Sequence, residues 1–288
     1  MNVAGTVIAA YGRQYRVELA DGTALLCFPR GKKSDLACGD HVTVRQTGAA
    51  QGVISAVDAR QTLLYRSDPF KQKLIAANVT QVIVVVATEP PFSDELITRC
   101  IVAAESQDIR VLLILNKCDL GDRVAAAGAM LAQYEKLGYP LLKLSARHDS
   151  ARLLPHLAGH LSLLIGPSGM GKSTLTNALV PDARAPTREI SQALNTGKHT
   201  TTHARLYRLG EATALIDSPG LTEFGLHHLS AEEITQAFLE LRPLLGQCRF
   251  RNCRHDREPD CSVHAALRHG AIDPRRYAAF RSLCADIG

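Results

Sequence analysis

The stretch Gly166-Pro-Ser-Gly-Met-Gly171-Lys172-Ser173 constrains this chain more than any other. It spells G-x-x-x-x-G-K-S between an apolar run, Leu161 to Ile165, and a helix-like run, Thr174 to Val180. A strand that turns through glycines into a helix start makes a concave loop with backbone N–H groups pointing inward. Glycine lets that backbone approach a ligand with no Cβ in the way, and the helix start adds unpaired donors and partial positive charge. Gly166, Pro167, Ser168, Gly169, Met170 and Gly171 are therefore expected to cradle phosphates, with Thr174 just beyond. Lys172 is expected to reach the β- and γ-phosphates, and the Ser173 hydroxyl to ligate Mg²⁺.

Strand and helix signals alternate around this loop. Gln81–Ala87, Val111–Leu115 and Leu141–Leu144 read as apolar strands, and Ser93–Ala104 and Arg123–Leu137 as helices, the second closed by Gly138. Such alternation predicts a mostly parallel sheet covered on both faces, with ligands at the carboxyl ends of its strands. Three more motifs fall at such ends. Asn116-Lys117-Cys118-Asp119 reads N-K-x-D. Asp119 can accept from the guanine N1–H and N2–H₂ together, a donor pair that adenine lacks. Asn116 can bond the base edge and hold neighbouring loops, and the Lys117 stem can lie over the ring. Ser145-Ala146 can present a backbone N–H to guanine O6. Asp217-Ser-Pro-Gly220 reads D-x-x-G, with Asp217 expected to hold Mg²⁺ through water and the Gly220 N–H to sense the γ-phosphate. In the run Gly197-Lys-His-Thr-Thr-Thr-His203, Thr201 is expected to bind Mg²⁺ and the γ-phosphate, with Thr200 as the alternative.

The order of these motifs carries as much information as their presence. In most GTPases the phosphate loop comes first and N-K-x-D and S-A come late; here N-K-x-D and S-A precede it. That is a circular permutation, which a fold with neighbouring surface termini tolerates. The second switch then runs directly into the C-terminal segment. Leu221 follows D-x-x-G where many GTPases carry a glutamine that orients water, and leucine has no hydrogen-bonding group. His199 is the residue expected to position or polarise the water, with His203 second, and slow turnover without a partner is expected.

Short β-like runs fill the N-terminus: Gly5–Ala10, Gln14–Leu19, Ala24–Phe28, His41–Arg45 and Gly52–Val57, separated by turn residues such as Asp21-Gly22. They predict a small OB-like barrel, with Tyr65 to Phe70 as the linker out. Arg13, Arg16, Arg30, Lys32, Lys33 and Arg45 could contact RNA phosphates or be ordinary solvated charges. At the other end, Ser230 to Glu233 makes a capping box opening a helix to about Leu241. Cys248, Cys253, His255 and Cys261 follow, three thiolates and an imidazole within a short loop, a donor set for tetrahedral Zn²⁺. His264 and Cys284 are alternative fourth ligands. Eight arginines face five acidic residues between Gly246 and Gly288, so the zinc loop could also touch an RNA backbone.

Composition limits the rest. The 288 residues allow two or three domains, and 46% apolar content excludes a disordered chain. No apolar run reaches the ~20 residues of a membrane helix, and no basic, apolar leader opens the chain, so a cytoplasmic location is expected. The formal charge of +5 favours an acidic partner such as nucleic acid.

Together, the barrel, Asn116–Asp119, Gly166–Thr174, Gly197–Thr202, Asp217–Gly220 and the Cys/Cys/His/Cys loop resemble the bacterial circularly permuted small ribosomal subunit biogenesis GTPase A family over essentially the whole chain. The resemblance implies an OB-like RNA-binding barrel (1–67), a permuted P-loop GTPase domain (68–225) and a helical zinc-binding domain (226–288). It also implies GTP hydrolysis to GDP and phosphate stimulated by the small (30S) subunit, binding of 16S rRNA, Mg²⁺, one Zn²⁺ per chain, and a cytoplasmic monomer. The family commonly has arginine where Lys198 stands. Competing readings are a P-loop kinase or ATPase, against which Asn116–Asp119 argues, and a zinc-containing RNA-binding protein that uses GTP only as a passive switch.

Overall fold

The computed structural model describes residues 2–31, 35–67, 72–180, 183, 203–220 and 225–287. His199, Thr200, Thr201, Leu221, Lys32 and Lys33 lie outside the described residues.

Alternating apolar residues build the N-terminal barrel. In β1 (Asn2–Tyr11), β2 (Gln14–Leu19), β3 (Ala24–Pro29), β4 (His41–Gly48) and β5 (Gln51–Val57), Val7, Tyr15, Val17, Leu25, Val42, Val44 and Ile54 point inward to one core. The pairing runs β1-β2-β3-β5-β4 and closes through β4 on β1, with β3 and β5 parallel. The expected strands are all present. The segment expected as a linker is not plain connection: β6 (Leu63–Ser67) pairs antiparallel with β7 (Gln72–Ala77). This hairpin bonds back to the barrel where Ala77 N–H donates to Cys38 O at 2.8 Å.

The central sheet orders β10 (Leu141–Lys143), β9 (Arg110–Asn116), β8 (Gln81–Ala87), β11 (Leu161–Ile165), β13 (Ala214–Asp217) and β12 (Arg205–Arg208). All pairs are parallel except β12 on β13. Its strands read as unbroken apolar runs because both faces are covered. Val82, Val84 and Val86 enter one core and Ile83, Val85 and Ala87 the other. Helices α1 (Asp94–Glu105) and α2 (Val124–Lys136) cover the first face, and α3 (Leu154–Leu157) and α4 (Lys172–Leu179) the second. Ser93 caps α1 by accepting from Leu96 N–H. Among the described residues one β-bridge, Ala9 to Arg205, joins barrel and sheet, beside an ion pair from Arg208 to Glu18.

In the C-terminal segment the capping box forms, with Ser230 and Glu233 exchanging bonds at the start of α5 (Ala231–Ala237). That helix stops short of the expected Leu241. Phe238 turns extended at the cap and buries its ring against Phe280, the two centroids 5.3 Å apart. Helices α6 (Ser262–Arg268) and α7 (Pro274–Ile287) complete the segment.

Candidate functional site

The phosphate loop leaves β11 and enters α4, as its glycine pattern requires. Gly171 takes φ +93°, and a Cβ there would lie 2.2 Å from Asn116 Nδ2, so glycine is the residue that fits. The loop therefore packs directly on the N-K-x-D segment. Asn116, 1% exposed, uses both ends of its amide. Its Nδ2 donates to Met170 O at 2.9 Å, and its Oδ1 accepts from Ala146 N–H at 2.8 Å. Of its two expected uses, holding the neighbouring loops is the one this geometry displays. One side chain thus ties phosphate loop, N-K-x-D and S-A together.

Asp119 lies exposed at the rim, and the hydrogen bond from the Ser145 hydroxyl holds its carboxyl below the usual carboxylate range. Ser145 therefore faces Asp119 through its hydroxyl and not through its backbone. Its N–H is taken by Asp149 Oδ1, and Ala146 N–H by Asn116, so any bond from Ala146 to a base carbonyl is a shared one. Lys117 sits in the left-handed region at φ +61°, with Nζ donating to Glu89 O at 2.7 Å and its carbonyl accepting from Thr88 Oγ1 at 3.1 Å. Cys118 turns inward, its thiol donating to Leu115 O.

At the phosphate end, Lys172 Nζ donates to Gly166 O at 2.8 Å and Pro167 O at 2.9 Å. Burial pulls its pKa down to about 8, against the opposing pull of Asp217. Ser173 Oγ donates to Asp217 Oδ2 at 3.1 Å. Burial also raises Asp217 to about 6, opposed by Lys172, Ser173 and the Ser218 N–H. A phosphate beside Lys172 and a cation beside Asp217 would each favour the charged form that burial disfavours. The other oxygen, Asp217 Oδ1, is buried without a hydrogen-bond partner among the described residues. A carboxylate oxygen with unused acceptor capacity beside a serine hydroxyl is a fitting donor set for Mg²⁺. The D-x-x-G turn lies across the loop: Ser218 Oγ donates to Leu164 O at 2.6 Å, and a Cβ on Gly220 would meet Ser168 Cα at 2.8 Å.

The second cluster is remote from the first in sequence. The ligand atoms of Cys248, Cys253, His255 and Cys261 all lie within 4.8 Å of one another. His255 Nδ1 stands 3.5, 3.6 and 3.4 Å from the Cys248, Cys253 and Cys261 sulfurs, and the Cys248 and Cys261 sulfurs are 3.9 Å apart. Tetrahedral zinc with bonds of about 2.3 Å to sulfur and about 2.0–2.1 Å to nitrogen separates S from N by about 3.6 Å and S from S by about 3.8 Å. The four residues fit that ion. His264 is instead bonded to Tyr277 OH at 2.9 Å, and neither it nor Cys284 joins the cluster.

Spacing alone did not reveal Thr88, Asp149 or Ser218: the first two brace a motif from outside it, and Ser218, an unspecified position of D-x-x-G, ties that turn to β11. Each bond joins a side chain to backbone, and no residue pattern records that.

A closed barrel, a P-loop sheet carrying N-K-x-D ahead of the phosphate loop, and a Cys₃His cluster define the class as a circularly permuted GTPase. The family described as RsgA GTPase matches residues 57–227. The small ribosomal subunit biogenesis GTPase RsgA of Nitrosospira multiformis is 53% identical over 285 residues, covering 98% of this chain and 90% of that protein. The protein of the same name from Burkholderia pseudomallei is 54% identical over 284 residues, covering 97% and 90%. The crystal structure of YjeQ from Thermotoga maritima superposes with a TM-score of 0.76 at 29% identity, covering 100% of this chain and 99% of that one. YloQ, described as a circularly permuted GTPase, shares the fold with a TM-score of 0.72 at 24% identity, covering 100% and 95%. The chain belongs to the RsgA GTPase family.

Proposed function

We propose that this chain hydrolyses GTP to GDP and phosphate while assisting maturation of the small ribosomal subunit, in the cytoplasm and as a monomer. The observation that carries the reading is Asn116, whose one side chain spans phosphate loop and base-side loop. Asp119, oriented by Ser145, accepts the guanine N1–H and N2–H₂. The amides of Gly166–Gly171 surround the phosphates, with Lys172 donating to the β- and γ-phosphate oxygens. Ser173 and Asp217 would hold Mg²⁺, which would supply positive charge to offset the charge that develops on the phosphates. Gly220 reports the γ-phosphate. Thr201 completes the magnesium site and His199 orients the attacking water, both in the segment outside the described residues.

Cys248, Cys253, His255 and Cys261 hold one Zn²⁺, and most of the folding energy of that short loop comes from the ion. The barrel arginines Arg13, Arg16, Arg30 and Arg45 and the arginines of the zinc loop contact 16S rRNA phosphates. Functional units of 1–67, 68–225 and 226–288 follow from this division of labour, with the β6–β7 hairpin straddling the first boundary. The relatives' name, small ribosomal subunit biogenesis GTPase, supports the partner.

Single-turnover and steady-state GTP hydrolysis, with and without purified small subunits, tests the reading. Slow turnover alone, a rise of at least about tenfold with subunits, and loss of both in Lys172→Ala are expected. Turnover that ignores the subunits, or that survives Lys172→Ala, overturns it.

A further inference from the structure

We propose that Asp149, outside every motif described above, is a positioning residue for guanine selection. The inference rests on the nucleotide reading and names a further residue of that site. Ser145 is useful only if its hydroxyl stays on Asp119, and a loop leaving the short strand β10 gives no reason for it to stay. Asp149 supplies one. Its Oδ1 accepts the Ser145 N–H, and its own N–H donates back to Ser145 O at 3.0 Å. His148 N–H adds a second donor to the same carbonyl at 3.1 Å. The far oxygen, Asp149 Oδ2, accepts from Arg152 Nη1 at 3.1 Å, and that nitrogen also donates to Lys143 O at 2.8 Å. Lys143 ends β10, so the brace closes a ring: strand end, Arg152, Asp149, Ser145, strand end. Leu153 and Leu157, both fully buried, anchor the turn that carries Arg152.

The ring acts on one end of the site. The phosphate loop is held by other bonds, from Asn116 to Met170 and from Lys172 to its own loop. Without the Asp149 carboxylate the Ser145 N–H loses its partner, the loop relaxes, and the hydroxyl drifts from Asp119. A carboxylate that is no longer aimed gains less from the guanine 2-amino group, while phosphate contacts persist. Asp149 acts through Ser145 and not on the base.

Competition binding of GDP and inosine diphosphate, which lacks the 2-amino group, at fixed Mg²⁺ tests this. Asp149→Ala is expected to weaken GDP by about 5–10-fold and inosine diphosphate by less, narrowing their ratio at least about threefold. Asp149→Asn, which keeps an acceptor for Ser145, should retain most of the preference. Arg152→Ala, which removes only the outer arm, should narrow it less than Asp149→Ala. An unchanged ratio in Asp149→Ala, or equal weakening of both nucleotides, overturns the assignment, since a merely structural residue would move both alike. A wild-type chain that does not prefer GDP to inosine diphosphate overturns the guanine reading itself, and this inference with it. Should Asp149→Ala not fold, the Asp149→Asn and Arg152→Ala ratios decide: both unchanged from wild type overturns the assignment.

Discussion

Asn116 carries one amide oxygen and one amide nitrogen, and the fold uses both on buried backbone. The orientation of the amide is settled by its partners, since Met170 O can only accept and Ala146 N–H can only donate. Asn116→Ala leaves both without a partner in a closed interior. At about 1–3 kcal/mol for each of the two stranded groups, a loss of about 2–6 kcal/mol of stability is expected in urea unfolding. GDP affinity should fall at least about tenfold, because phosphate loop and base loop lose their common tie. Asn116→Asp should do no better: its carboxylate can keep Ala146 but faces the Met170 carbonyl with no hydrogen to offer. If isothermal titration finds GDP binding intact in Asn116→Ala, the two loops are held by something else. The residue type and spacing of N-K-x-D were readable in the chain. The brace was not, because its partners lie 54 and 30 positions away and are backbone atoms.

Elements with a regular side-chain period were legible, and those without one were not. β2 falls where its alternation places it, with Tyr15 and Val17 inside and Gln14 and Arg16 outside. β8 and β9 were legible as unbroken apolar runs. Tyr65 to Phe70 has neither pattern and reads as a linker, yet Leu63–Ser67 pairs into a hairpin because its edge finds partners elsewhere. Ser67 N–H donates to Gly225 O at 3.0 Å, Ser67 Oγ meets His228 Nδ1 at 2.9 Å, and the Tyr65 and His228 rings are 4.0 Å apart. The chain just beyond D-x-x-G is thereby clamped to the barrel's hairpin, a contact invisible to local spacing. Burial lowers the His228 pKa, Glu233 opposing and His227 assisting. A histidine whose folded pKa is depressed contributes stability above the unfolded value of about 6.5, lost as pH falls through that value toward the folded one, because the unfolded chain takes the proton first. Thermal unfolding of the wild type should therefore lose more between about pH 7.5 and about pH 5.5 than that of His228→Gln. Equal losses would show that the clamp is not where the proton acts.

At the scale of the whole molecule, the segment carrying the Cys₃His cluster is not a tethered bead. Leu226, Ile234, Phe238, Cys261, Phe280 and Leu283 belong to the same buried cluster as Val84, Ile101 and Leu113 of the central sheet and α1. Arg99 of α1 reaches Asp286 of α7 across that seam. Removing the ion with a strong chelator should therefore lower the unfolding midpoint of the entire chain, not melt one loop in isolation, with about one zinc per chain released. A first transition confined to the C-terminal segment, with the second unchanged, would contradict a shared core.

The seam has one polar feature at its centre. Arg276 of α7, 2% exposed, bonds Glu240 Oε1 at 2.7 Å and Thr98 Oγ1 of α1 at 2.9 Å. Its guanidinium lies 4.5 Å from the Phe238 ring centroid and 5.4 Å from that of Tyr134. Glu240 is equally enclosed, its side chain 5% exposed. Such a pair adds little net stability over apolar residues of similar volume, yet breaking it leaves a bare charge in the interior. Arg276→Ala is therefore expected to cost about 3–5 kcal/mol in urea unfolding, far more than an exposed arginine. Arg276→Met with Glu240→Leu should recover most of that loss, since it removes both charges and refills the volume. The two variants together separate a seam held by complementary shape from one held by charge. A mild single variant would mean that water reaches Glu240, and a double variant as unstable as the single would mean that the Thr98 bond and the stacked rings hold the C-terminal segment against α1.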